Sequence, residues 1–233
     1  MDGSLEQTIR HGRDGRVSGL PVPRLGPPRR ARGLRGRRRV EPHRPFDPQR
    51  VGQLESSLWI AYYRREWVAF VRVAVVVIRR LLGLSWPSTL RASWYLLRAT
   101  RRWAPCPDND PVAARLAMER FYRLLKPHNN GPFDPAEAAR LEVEWWRVHR
   151  RHQHKHPDTD ERALVDALAA FYAYALGLPD RAVRPAAEER ALAMRYCDQW
   201  VQAGCDLRSS LIAQKRAALV RSYTGLLAVV GQP

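Results

Sequence analysis

Beyond residue 50, apolar residues recur every three or four positions, the spacing that gathers them on one face of an α-helix. Leu54, Leu58, Ala61 and Tyr62 open the pattern, which runs on through residues 68–82 as a single predicted helix. Gly83 and Pro87 end it, because glycine accepts the left-handed backbone of a helix terminus and proline cannot continue a helix. A second helix is predicted with Leu90, Trp94 and Leu97 on its core face, stopping before Pro105. Asp110-Pro111 then pairs a capping side chain with proline at the first helical position. The helix it opens carries Ala114, Ala117, Met118, Phe121, Leu124 and Leu125 on one stripe, and Pro127 closes it. Asp134-Pro135-Ala136-Glu137 reads as a capping-box variant opening a helix that reaches about His154. Three more helices follow, marked by Leu164 to Ala175, by Met194, Cys197 and Val201, and by Ile212, Leu219, Tyr223 and Leu226. No strand-period segment of useful length and no internal repeat interrupts them. The expected fold is all-α, an irregular bundle of about seven helices.

The first 50 residues break this pattern. They hold Pro-Val-Pro, Gly-Pro-Pro and the arginine-rich run at 29–39, with no apolar period. Such a segment buries too little surface to offset the entropy of ordering it. The expected organisation is residues 1–48 as a disordered Arg/Pro/Gly-rich segment and 49–233 as one helical domain. Three readings of the segment stay open: a passive tail, an arm for anionic surfaces or nucleic acid, or a translated extension upstream of the true start.

Charge does not choose among them. The chain carries +17. Residues 1–50 hold 13 basic and 5 acidic residues, or +8, and residues 51–233 hold 27 and 18, or +9. Only Lys126, Lys155 and Lys215 are lysine, a bias that reads as a GC-rich coding sequence more than as selection for guanidinium chemistry. A net +9 spread over the domain lends little support to specific DNA recognition, and no recognition helix with base-reading residues at its start stands out. The most apolar window, around residues 68–84, is interrupted by Arg72, Arg79 and Arg80, so it predicts a buried helix and no membrane span. The cysteines, Cys106, Cys197 and Cys205, are odd in number and form no CxxC, and no secretory apolar region precedes them; a reduced, cytoplasmic setting is expected.

Four strings are too specific in their aromatic and polar order to be generic helix: WIAYYRREW at 59–67, RATRRWAPCPDNDP at 98–111, RFYRL at 120–124 and EVEWWRVHR at 142–150. On them the chain resembles a family of uncharacterised all-helical proteins from GC-rich bacteria, from about Phe46 to the C-terminus. That family has no established activity, so the resemblance implies fold and boundaries and leaves function open.

The chemistry-bearing residues concentrate on the predicted helix 135–154. Ala138, Glu142, Trp145, His149, His152 and His156 share one stripe. His149 and His152 could share a metal, with Glu142 two turns away, but a cationic helix end also suits the helix dipole. There is no HExxH, no repeated ExxH and no zinc spacing, so no metal and no cofactor is expected. Tyr62 and Arg65 could line a polar pocket or simply be core and snorkelling neighbour. Asp108 lies beside a helix start where it could hold an arginine. Cys106, between two prolines, has no evident activating base. Asp198 sits on the apolar stripe of Met194 and Val201 and must be paired, an intramolecular arginine being the plain expectation. P-loop, GxGxxG, GxSxG and kinase signatures are absent.

These readings converge on a cytoplasmic helical binding or interaction domain with a polar-aromatic pocket built from Tyr62, Arg65, Asp108, Glu142, Trp146 and His149, its partner a small ligand or a protein. The alternatives are an enzyme using Glu142 and His149 for acid-base or metal chemistry, and a nucleic-acid-associated protein acting through its arginine-rich segment.

Overall fold

The computed structural model describes residues 46–128, 133–154 and 160–230; the segment 1–45, on which the tail and its nucleic-acid reading rest, lies outside them. The described residues are helical, with no strand among them. Eight α-helices follow one another: α1 Pro48–Tyr63, α2 Trp67–Leu82, α3 Trp86–Trp103, α4 Pro111–Leu125, α5 Pro135–Gln153, α6 Glu161–Leu176, α7 Asp180–Gln202 and α8 Ser210–Val230.

Aspartate starts half of these helices. The carboxylates of Asp47, Asp110, Asp134 and Asp160 accept backbone N–H groups at the heads of α1, α4, α5 and α6. Three of the four are followed by proline, whose missing N–H costs nothing at that position. Glu137 does not complete the capping box expected at α5. It pairs with Arg140 at 2.7 Å, and the Asp134 N–H donates to the Tyr174 hydroxyl instead. Ordered packing reaches Phe46, whose ring sits edge-on 5.8 Å from Tyr223, slightly before the expected boundary.

The predicted long first helix is two. Between α1 and α2 the Glu66 N–H donates to the Ala61 carbonyl and the Arg65 N–H to that of Tyr62. These two bonds form the Schellman closure of a helix end, with Arg65 in the left-handed position at φ 59°. Glycine normally fills that position, as Gly83 and Gly177 do at the ends of α2 and α6. An arginine there costs about 1 kcal/mol or more, and no Gly or Pro signals the break.

The helix α3 is also rotated from expectation. Its buried side is Thr89, Ala92, Ser93, Leu97 and Trp103, while Leu90 and Trp94 face outward. Small residues let neighbouring helices come close, so packing chose that face over the larger apolar side chains.

Each helix packs chiefly on its predecessor and its successor, and α8 packs on α1, so the eight close into a cycle. Gly52 marks the closure. A Cβ there would lie 2.8 Å from Val220 Cγ2 and 2.9 Å from Val220 N, so only glycine lets α1 and α8 approach this closely. No helix among the described residues is long and apolar enough to cross a membrane.

Candidate functional site

Within the cycle lies a cavity of about 470 Å³, bounded by α1, α2, α3, α5, α7 and the loop after α3. Its size falls in the roughly 300–1,000 Å³ range of small-molecule sites. The aromatic residues on its wall include Trp59, Tyr62, Trp103, Trp145 and Trp146. The rings of Trp145 and Trp146 meet edge-on at 6.0 Å, and Trp103 and Trp146 lie 5.8 Å apart.

Glu142, from α5, opens onto this space. Its carboxylate accepts the Tyr122 hydroxyl at 2.9 Å and the Trp146 indole N–H at 3.0 Å. Burial raises the Glu142 carboxyl above its ordinary range, and the nearby Arg190 charge and these hydrogen bonds pull in the opposite direction. The buried indole N–H of Trp145, another wall residue, also acts on the Glu142 carboxylate, though less well aligned than that of Trp146.

At one end, α1 and α7 place Glu55 against Arg190. The guanidinium reaches both carboxylate oxygens, at 2.5 and 3.2 Å, and donates to the Tyr172 hydroxyl at 3.2 Å. The Tyr223 hydroxyl donates to Glu55 at 2.6 Å. Arg190 also lies 5.5 Å from the ring centres of both Trp59 and Trp145. This pair is electrically balanced and largely buried.

The other end is cationic. Arg65 donates to the Ala104 carbonyl at 3.2 Å, and Arg150 to that of Pro105 at 2.9 Å while stacking 4.5 Å over the Trp103 ring. Each guanidinium thus commits one N–H to the loop out of five it carries. Cys106 in the same loop lies with its Sγ 3.3 Å from His154 Nε2. No local pattern marks a base beside this thiol, because its partner is 48 residues away.

A third group reaches the wall from α5. His149 is buried, with Nε2 3.0 and 3.2 Å from the two Asp198 oxygens. Gln153 donates to Asp198 at 2.6 Å and to the Tyr63 hydroxyl at 2.9 Å. Asp198 is buried as its stripe requires, but its partners are a histidine and an amide, in place of the arginine expected. Asp198 thereby fixes the imidazole through Nε2 and leaves Nδ1 outside this contact.

Five of the six expected pocket residues, Tyr62, Arg65, Glu142, Trp146 and His149, line this one cavity. Asp108 does not. The Asn109 N–H bonds to Pro107 and the Asp110 N–H to Arg102, a tight turn that leaves Asp108 in solvent. His152 is absent from the wall, and among the described residues no three His, Cys, Asp or Glu are grouped to hold a metal. Glu55 and Arg190 were missed, yet each stands in an apolar stripe: Val51, Glu55, Leu58, Tyr62 on α1 and Ala187, Arg190, Met194, Cys197 on α7. The pattern that marks Asp198 marks them too. Lys215, fully buried on α8, lies apart from the cavity wall, its Nζ 3.3 Å from the Ser56 carbonyl and 5.2 Å from the Trp200 ring centre. All three cysteines are free. Comparison with protein-family models, with curated proteins and with solved structures finds no match to this chain.

Proposed function

We propose that the protein binds a small amphipathic organic acid in this cavity. The observation that carries the reading is the placement of Arg65 and Arg150 at one end of an aromatic-walled space of about 470 Å³ whose other end is charge-balanced. An apolar or aromatic body suits the Trp59, Trp103, Trp145 and Trp146 walls. A carboxylate suits the unused guanidinium N–H groups, since charge-assisted bonds to arginine are among the stronger ones.

The test is a panel of aromatic and medium-chain carboxylates, each beside its methyl ester, followed by thermal shift and intrinsic tryptophan fluorescence. Acids should raise the melting temperature, as any ligand of the folded state does. Their esters should bind on the order of tenfold more weakly, the scale of one lost charge-assisted bond. Arg150→Gln should erase the preference for acid over ester. A panel without a binder, or acids and esters binding alike, refutes the reading.

One observation favours a second reading, an enzyme. His149 is oriented by Asp198 and faces the same cavity, the arrangement of a general base with its orienting carboxylate. If a bound ligand is converted, His149→Gln should abolish conversion and spare binding. Metal chemistry at Glu142 and His149 has no third ligand in support among the described residues.

A further inference from the structure

The outer side of α2 and α3 has a composition unlike the rest of the chain. From Trp67 to Pro107 there is no Asp, Glu, Lys, His, Asn or Gln, while seven arginines occur, at 72, 79, 80, 91, 98, 101 and 102. Large apolar side chains stand in solvent among them: Val68 is 66 % exposed, Trp86 59 %, Leu90 56 % and Trp94 58 %. Trp86, Leu90 and Trp94 follow at intervals of four, one above the next for about 12 Å along α3. On α2 the positions 68, 72, 76 and 80 form the equivalent outer stripe, Val-Arg-Val-Arg. Arg79 crosses from α2 to stack 4.9 Å over the Trp86 ring, tying the stripes together where the helices turn.

We propose that this face binds the surface of an anionic lipid bilayer, with Trp86, Leu90 and Trp94 entering the headgroup layer and the arginines contacting acidic headgroups. Indole rings favour that interface, being apolar with one polar edge, and arginine stems bury while their charged ends stay at the phosphates. The chemistry discriminates against other partners. Nucleic acid gives Val68, Val76 and Leu90 nothing to pack on, and the face has no Asn, Gln or Lys for base edges. A second copy would bring seven like charges against seven, with no carboxylate on either side. An anionic bilayer answers both the charge and the exposed apolar rows, and it requires no spanning helix.

The experiment is co-sedimentation of the full chain with vesicles of equal parts phosphatidylglycerol and phosphatidylcholine, beside vesicles of phosphatidylcholine alone. The chain should pellet with the first and not the second. The double variant Trp86→Ser, Trp94→Ser should weaken this partitioning at least tenfold while leaving the thermal melt unchanged, since both rings are more than half exposed. Arg91→Glu with Arg98→Glu should weaken it by at least about fivefold per residue changed. Failure to pellet with anionic vesicles overturns the proposal. So does pelleting that the tryptophan variant leaves intact, which assigns attachment to charge elsewhere, such as the arginines at 29–39. Tryptophan-dependent binding to duplex DNA without vesicle binding, or a dimer dispersed by the tryptophan variant, overturns it as well.

Discussion

Replacing Glu55 by glutamine should destabilise the domain by about 3–4 kcal/mol, within the range for breaking a buried ion pair by removing one partner. The shape is conserved, so packing is not the cause. The amide can still accept the Tyr223 hydroxyl and an arginine N–H, which keeps the cost toward the lower end of that range. What is lost is charge. Arg190 cannot discharge at any accessible pH, and its side chain is only 11 % exposed. The remaining acid that acts on it is Glu142, which is already disfavoured as a carboxylate by burial. In Glu55→Gln, Glu142 must serve as the counter-charge, so its carboxyl should titrate lower than in the parent. For a domain of this size the stability loss corresponds to about 7–14 °C in melting temperature. Urea unfolding followed by helical circular dichroism measures it, with an unchanged denaturant slope showing that the folded state is otherwise intact. The double variant Glu55→Leu, Arg190→Met should recover most of the loss, because apolar residues of similar volume replace buried pairs well. A loss under about 1 kcal/mol for Glu55→Gln refutes the reasoning, since it would mean that Arg190 reaches water.

Asp198→Ala should cost less, about 1–2 kcal/mol, because an imidazole, unlike a guanidinium, does not carry an obligatory charge, leaving two hydrogen bonds as the main loss; a loss above about 3 kcal/mol in urea unfolding would contradict this. Lys215→Met should raise stability by about 1–2 kcal/mol at neutral pH. Burial lowers the Lys215 pKa from its ordinary value of 10.5, so the cost of its charge is full below the folded pKa and gone above the unfolded one. The advantage of the methionine variant should therefore shrink as pH rises through that window toward 10.5, and an advantage constant with pH would refute the assignment.

The helices were legible because their starts and stripes are local: Asp-Pro pairs, Gly83, Gly177 and the three-four spacing lie within a few residues of what they control. The break at Arg65 was not, because the left-handed position is held by two backbone bonds and tertiary packing rather than by a residue that prefers it. The face of α3 was misjudged for a related reason. Trp94 and Leu90 are the better core residues in isolation, but Ala92 and Ser93 allow closer packing. In the site, the stripe of α5 was enough to bring Glu142, Trp145 and His149 to one wall. Pairings across helices, such as Asp198 with His149 or Cys106 with His154, depend on how the cycle of helices closes, and no spacing in the chain encodes that.

That closure has a consequence for the order of assembly. Glu55 and Ser56 on α1 meet Tyr223 and Lys215 on α8, contacts that span 168 and 159 residues. At roughly 5–20 residues per second of synthesis, α1 waits about ten to thirty seconds on the ribosome before its final neighbour exists. Early in that interval its inner stripe has chiefly α2 to cover it, and Arg190, once made, has Glu55 but not yet the Tyr223 that completes the pair. Contacts of such long range also slow folding itself. The nascent chain should thus be most open to proteases and chaperones before α8 emerges, and chains halted within α8 should be cleared while full-length ones persist.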